Sequence, residues 1–187
     1  MVRRPLSPPL VLALLLLTAP LACGGGGGGG GGPTQPPAPS ITFSADAPSP
    51  PANSVSLQRA SSSQGSTLAL DVVATDVEDL YGVAFDLLYT ATAHDYVRVE
   101  EGSFLSSDGM QTTLQLADAG SGRLIVGLTR RGESDGISRS GVLMTVTFQA
   151  AGNGGGSLAF DQQRAVNRRG ATIPGVTWPG GSVTVQR

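Results

Sequence analysis

Few residues in this chain have side chains suited to chemistry, and they are thinly spread. The one histidine, His94, precedes Asp95. A base beside an acid is part of a nucleophilic triad, but the reaction also needs a nucleophile in hydrogen-bond reach and an oxyanion hole. No nucleophile-elbow pattern surrounds any serine, so His94 is expected in a surface connection. Asp76, Glu78 and Asp79 crowd a segment that reads as a turn before an apolar run. Oxygen-rich turns can hold calcium, which takes about six to eight oxygen ligands. The spaced acidic loop of an EF-hand is missing here, so a solvated acidic turn is expected, with ion binding left open. Glu100 and Glu101 are adjacent and project to opposite sides of an extended chain, which does not suit the paired carboxylates of a glycosidase. Trp178 with Tyr81, Tyr89 and Tyr96 would make a sugar platform only if several rings lay coplanar. Tyr81 and Tyr89 share parity with Phe85 and should point inward, so packing is the expected role of the aromatics. Arg130-Arg131 and Arg168-Arg169 stand in turn-like segments and are candidates for the rim of an interface. No catalytic residue and no metal ligand is assigned.

Composition narrows the classes further. The 187 residues carry 12 basic side chains, all of them Arg, and 14 acidic ones, for a net charge of -2. That balance lacks the basic footprint of a nucleic-acid binder. A single Cys and a single His can build neither a zinc site nor a disulfide framework. Apolar residues make up 40% of the chain, too many for a fully disordered one.

The N-terminus reads as an address. Met1-Val-Arg-Arg4 is a short positive segment, and the run from Leu10 to Leu17 is apolar but too short to span a membrane. Cys23 follows Pro20-Leu-Ala22, which resembles a bacterial lipoprotein signal with Cys23 as the lipidated first residue. Gly24, rather than Asp, follows the cysteine, which points to the outer membrane or cell surface. Nine glycines, Gly24 to Gly32, precede Pro33-Thr-Gln-Pro-Pro-Ala-Pro39. Polyglycine buries nothing and loses the most backbone entropy on ordering, while the proline-rich part is a stiffer spacer. The expected organisation is a signal peptide at 1–22, a tether at 23–40 and a folded domain at 41–187.

The elements that must position any site are strands. After residue 41 there is no stretch with helical spacing; short apolar and β-branched runs alternate with Gly, Ser and Asp clusters. The runs at 54–59, 67–75, 81–89, 96–100, 112–117, 123–129, 141–150, 156–161 and 181–185 are the expected strands. In the third, Val83, Phe85, Leu87 and Tyr89 share one face and Ala84, Asp86 and Leu88 the other. About nine strands in one domain suit an all-β, two-sheet sandwich. A domain of this length buries about two-thirds of its unfolded surface, enough for a core without disulfides.

Five segments, in order, resemble the cohesin family: Asp79-Leu-Tyr-Gly-Val-Ala-Phe-Asp-Leu-Leu-Tyr89; Glu101-Gly-Ser-Phe-Leu105; Gly122-Arg-Leu-Ile-Val-Gly-Leu128; Ser138-Arg-Ser-Gly-Val-Leu-Met-Thr-Val-Thr-Phe148; and Ser157-Leu-Ala-Phe160. Two positions differ from the common pattern: Thr90-Ala91 follows Tyr89, and position 84, often polar in dockerin-binding members, is Ala84. The resemblance implies a nine-stranded jelly-roll sandwich. It also implies non-catalytic binding of a dockerin-like protein module, which carries its own calcium, in the assembly of polysaccharide-degrading enzymes. The face that cohesins use lies on the third, fifth, sixth and eighth strands. By parity its outward residues would be Ala84, Asp86, Leu88, Thr113, Gln115, Ile125, Gly127, Thr129, Leu143 and Thr145, with Asp86 as the polar anchor. Two other classes stay open: a module that binds polysaccharide directly, and a structural envelope protein.

Overall fold

Alternation of apolar and polar side chains predicts most of the strands observed in the computed structural model, which describes residues 38–187. The expected signal peptide at 1–22, the expected lipidation site Cys23 and the expected tether as far as residue 37 lie outside the described residues. Those described form ten strands and no helix: β1 Ser40–Ala45, β2 Ser54–Arg59, β3 Thr67–Leu80, β4 Gly82–Leu88, β5 His94–Glu101, β6 Thr112–Asp118, β7 Arg123–Arg130, β8 Ile137–Ala150, β9 Gly154–Val166 and β10 Gly181–Gln186. They build two antiparallel sheets, one ordered β1-β10-β9-β4-β7-β6 and the other β2-β3-β8-β5.

The core lies between the sheets. Val83, Phe85 and Leu87 of β4, Leu124, Val126 and Leu128 of β7, and Val183 and Val185 of β10 face Leu68, Leu70, Val72, Val146 and Phe148 of the other sheet. In β10 buried and exposed residues alternate without a break. This is the period-two signature of a strand with one face on a core and one on water.

Four strands differ from expectation, each for a local reason; one is β8, which starts at Ile137 and not near residue 141 because it pairs with the extension of β3. β1 is an added edge strand whose main contribution is Ile41, buried against the core while the ladder pairs with β10. β3 does not end near residue 75 but runs to Leu80. The presumed acidic turn is strand, because two bulges let it continue: the inward residues Ala74, Val77 and Leu80 fall every third position, opposite Gly141, Arg139 and Ile137 at every second. Asp76 and Asp79 take the left-handed conformation that each bulge requires, with φ of 47° and 52°, a region where Asp is better tolerated than most residues. Ser140 and Ser138 hydroxyls accept from the Asp76 and Asp79 amides, and the carboxylates accept from Ser140 Oγ at 2.8 Å and Gly136 N at 3.0 Å. β9 likewise runs on to Val166 through a bulge at Gln162, whose φ is 50°.

Candidate partner-binding face

The outer face of β9, β4, β7 and β6 is assembled by register. Val166, Gly82, Thr129 and Thr113 form one row across the four strands; Arg164, Ala84, Gly127 and Gln115 form the next. Asp161, Asp86, Ile125 and Ala117 make a third row, and Leu88 sits beside Arg123 at the end. Strand pairing thus brings together eight residues expected on this face: Ala84, Asp86, Leu88, Thr113, Gln115, Ile125, Gly127 and Thr129.

The other two are elsewhere. Leu143 and Thr145 belong to β8, which pairs with β3 and β5 in the opposite sheet. Leu143 is fully buried in the core, and Thr145 turns to the far side of that sheet, where its hydroxyl donates to Asp71 Oδ1 at 2.6 Å. They lie on the seventh expected strand and not the eighth, and a bulge at Leu143, between the Val142–Val73 and Met144–Val72 pairs, puts two residues of equal parity on opposite sides.

Asp86 points outward as parity requires, yet only 8% of it is exposed. Arg123 lies over it: one guanidinium nitrogen is 3.0 Å from Asp86 Oδ2 and 3.0 Å from Asp161 Oδ2. The carboxylate expected to be the free polar anchor is therefore already paired. Arg123 has the parity of Ile125 and was legible as an outward residue; Arg164 was not. Counting by twos from Asp161 makes Gln163 the outward residue, whereas the bulge at Gln162 puts Arg164 outward and Ala165 in the core.

The centre of the face is a shallow hollow of about 480 Å³ floored by Gly82, Ala84 and Gly127 and walled by Thr113, Gln115 and Arg164. Among the described residues, none other than its two chain neighbours has an atom within 4 Å of the place where a Gly127 Cβ would stand. Gly170 closes one end; its turn is held by the Asn167 side chain, whose oxygen accepts from the amides of Arg169 and Ala171.

The remaining sequence candidates separate clearly. His94 is not in a surface connection: it opens β5, fully buried, with its ring 5.1 Å from that of Phe148 and 5.7 Å from that of Tyr89. It is buried because the preceding turn folds Ala93 and His94 under the β8 end. Neither ring nitrogen has a partner among the described residues, and desolvation pushes its pKa below the ordinary value, partly opposed by Asp95. Arg130 is not at a rim either. It ends β7 with its side chain inward, where its two terminal nitrogens grip the Asp108 carboxylate at 3.1 and 2.6 Å and one also donates to the Leu105 carbonyl. That grip holds the Asp108 carboxyl below the usual carboxylate range. Arg131 and Arg169 are exposed, and Arg168 pairs with Glu133 and Asp135.

Glu100 pairs with Arg98 and Glu101 accepts from Thr112, so the two acids do not act together. Tyr89 and Tyr96 pack against the core, while the half-buried Tyr81 donates its hydroxyl to the Gly132 carbonyl. Trp178 stands 5.3 Å from Phe160 at an interplanar angle of 68° and 6.0 Å from Phe85 at 54°. These rings form an edge-to-face cluster rather than a coplanar platform.

A cohesin domain family model matches residues 54–185. No curated protein matches the chain. Similar solved structures include a non-cellulosomal cohesin from the hyperthermophilic archaeon Archaeoglobus fulgidus, 19% identical, with a TM-score of 0.50 over 76% of this chain and 88% of that one. The second type II cohesin module of an adaptor scaffoldin from Acetivibrio cellulolyticus is 15% identical, with a TM-score of 0.56 over 78% of this chain and 90% of its own. The sixth cohesin of scaffoldin B from the same organism, solved in complex with a dockerin, is 15% identical, with a TM-score of 0.55 over 70% and 97%. At such identities the likeness carries the fold.

Proposed function

The chain belongs to the cohesin family, and from that premise we propose that it is a tethered, non-catalytic module that binds a dockerin through the outer face of β9, β4, β7 and β6. One observation carries the reading: a broad, open sheet face whose centre is built from Gly and Ala and bordered by Thr, Gln and the half-exposed Ile125. Such a face offers area and shape complementarity to another protein surface, with apolar and hydroxyl contacts in the middle and charges at the margin. β4 and β7 are paired on both sides, so recognition over these two strands runs through side chains and not through added strand pairing; β6 ends the sheet.

Cys23 supplies the placement in this reading. Its lipidation anchors the domain at the outer membrane or cell surface, and the Gly- and Pro-rich tether lets the face reach its partner. A dockerin-bearing polysaccharide-degrading enzyme, held at the surface through the module, is the assembly that fits.

The test is titration calorimetry of calcium-loaded dockerin modules into the protein. Binding should disappear on chelation of the dockerin's calcium. Ile125→Asp should weaken it about 30-fold, or about 2 kcal/mol, the size of an interface hot spot. Dockerins that bind Ile125→Asp as tightly as the wild type would place the contact elsewhere, and a chain that binds none would remove the dockerin reading.

A further inference from the structure

The charges around the hollow are unevenly satisfied. Arg123 is shared by Asp86 and Asp161, and Arg168 is held by Glu133 and Asp135. Arg164, in the same row as Ala84 and Gly127, has no carboxylate within 4.0 Å among the described residues. Its one polar side-chain contact is a long 3.4 Å approach to the Thr172 hydroxyl. Residues 1–37 contain no Asp or Glu, so the chain supplies no acid from there. The face therefore presents an apolar hollow with an unneutralised guanidinium on one wall, and a surplus carboxylate charge one row away at Asp161.

Successive rows on the same side of a strand are about 6.6 Å apart. Residues one turn apart on a helix are spaced by about 5.4 Å, so a helix laid along β4 meets two rows with residues i and i+4 or i and i+3. Arg164 stems from the Ala84 row, but its guanidinium reaches toward Thr172, which bridges to Val166 in the next row. An extended segment gains little here, because the backbone groups of β4 and β7 are already taken by their neighbours.

We infer that the hollow over Ala84 and Gly127 receives one apolar side chain from a helix of the partner, and that Arg164 pairs with a carboxylate on that helix about one turn from it. Gly127 sets the size of side chain admitted, and Arg164 sets the charge beside it. The inference rests on the proposed dockerin face and adds the chemistry of the partner's contact. An exposed pair of this kind contributes mainly to discrimination, by repelling a helix that brings a base to the same spot.

The experiment is selection of a displayed library of calcium-loaded dockerin modules, randomised at exposed helix positions, on the full-length protein. Selected clones should carry Asp or Glu one turn from a Leu, Ile, Val or Met. Arg164→Glu should bind those clones at least tenfold more weakly and should itself select Lys or Arg at the acidic position. Gly127→Phe, whose side chain enters open space, should keep the wild-type melting profile and lose the same clones about 30-fold. Clones with no charge preference, bound equally by Arg164→Glu but lost with Ile125→Asp, would overturn this inference and leave the dockerin face standing. Clones indifferent to all three variants, or a library with no binder, would overturn both.

Discussion

Side-chain parity on β4 separates two neighbours with opposite duties. Phe85 is buried among Phe160 and Trp178, and Phe85→Ala should cost about 3–5 kcal/mol in denaturant melts through the cavity it leaves. Asp86 faces outward but lies beneath Arg123, so Asp86→Ala should cost about 1–2 kcal/mol from a lost charged hydrogen bond, and not the near-zero of a free surface acid. The opposite ranking would reverse the parity of the strand. His94 gives a pH signature. Its native pKa lies below the ordinary imidazole value, so as pH falls through about 6.5 the unfolded chain takes up the proton first. Stability from the neutral, buried ring is therefore full above that value and declines below it until the lowered native pKa is reached. The thermal midpoint should drop between about pH 7.5 and about pH 5.5, and His94→Phe should flatten the drop. Equal declines in both proteins would assign the acid sensitivity to other groups. The environments of His94 and Arg130 could not be read locally, because they are made by residues brought in from β8 and from the loop bearing Leu105 and Asp108.

Strands with strict alternation were legible, whereas those with bulges were legible only as far as the bulge. In β3, Thr75-Asp-Val-Glu-Asp79 looks like a turn, since acids and β-breakers normally end strands. Serines 138 and 140 from the neighbouring strand supply partners that allow the ladder to continue, and no local pattern announces them. β1 is as long as β2 and β10 but follows directly on the proline-rich segment ending at Pro39, and it has only Ile41 and Phe43 as large apolar residues. Its weight is nonetheless measurable. Burial of Ile41 contributes about 1.5–3 kcal/mol, and the ladder to β10 adds to it. A chain beginning at residue 47 should be less stable by about 3 kcal/mol or more than one beginning at residue 38. At about 2–4 °C per kcal/mol for a domain this size, its melting midpoint should fall by roughly 10 °C. Identical midpoints would mean that β1 is an accessory and not part of the cooperative unit.

For the protein in its cell, the proposed anchor makes a separate expectation. Cys23→Ser should abolish incorporation of a fatty-acid analogue and move the protein from the membrane to the soluble fraction, with the affinity of the isolated protein for its partner unchanged. Equal labelling of wild type and variant would refute lipidation at Cys23. From composition and period alone, the chain was readable as all-β, with Val83, Phe85 and Leu87 inward and Ala84, Ile125, Gly127 and Thr129 outward, because alternation is imposed by the geometry of each strand. Leu143 and Thr145 could not be assigned in that way, since the strand at 141–150 pairs with β3 and β5 in the other sheet and a bulge at Leu143 turns one of them inward and the other outward. The covering of Asp86 and the outward turn of Arg164 likewise depend on contacts across strands and on one left-handed residue, Gln162. A period-two count carries no information about either.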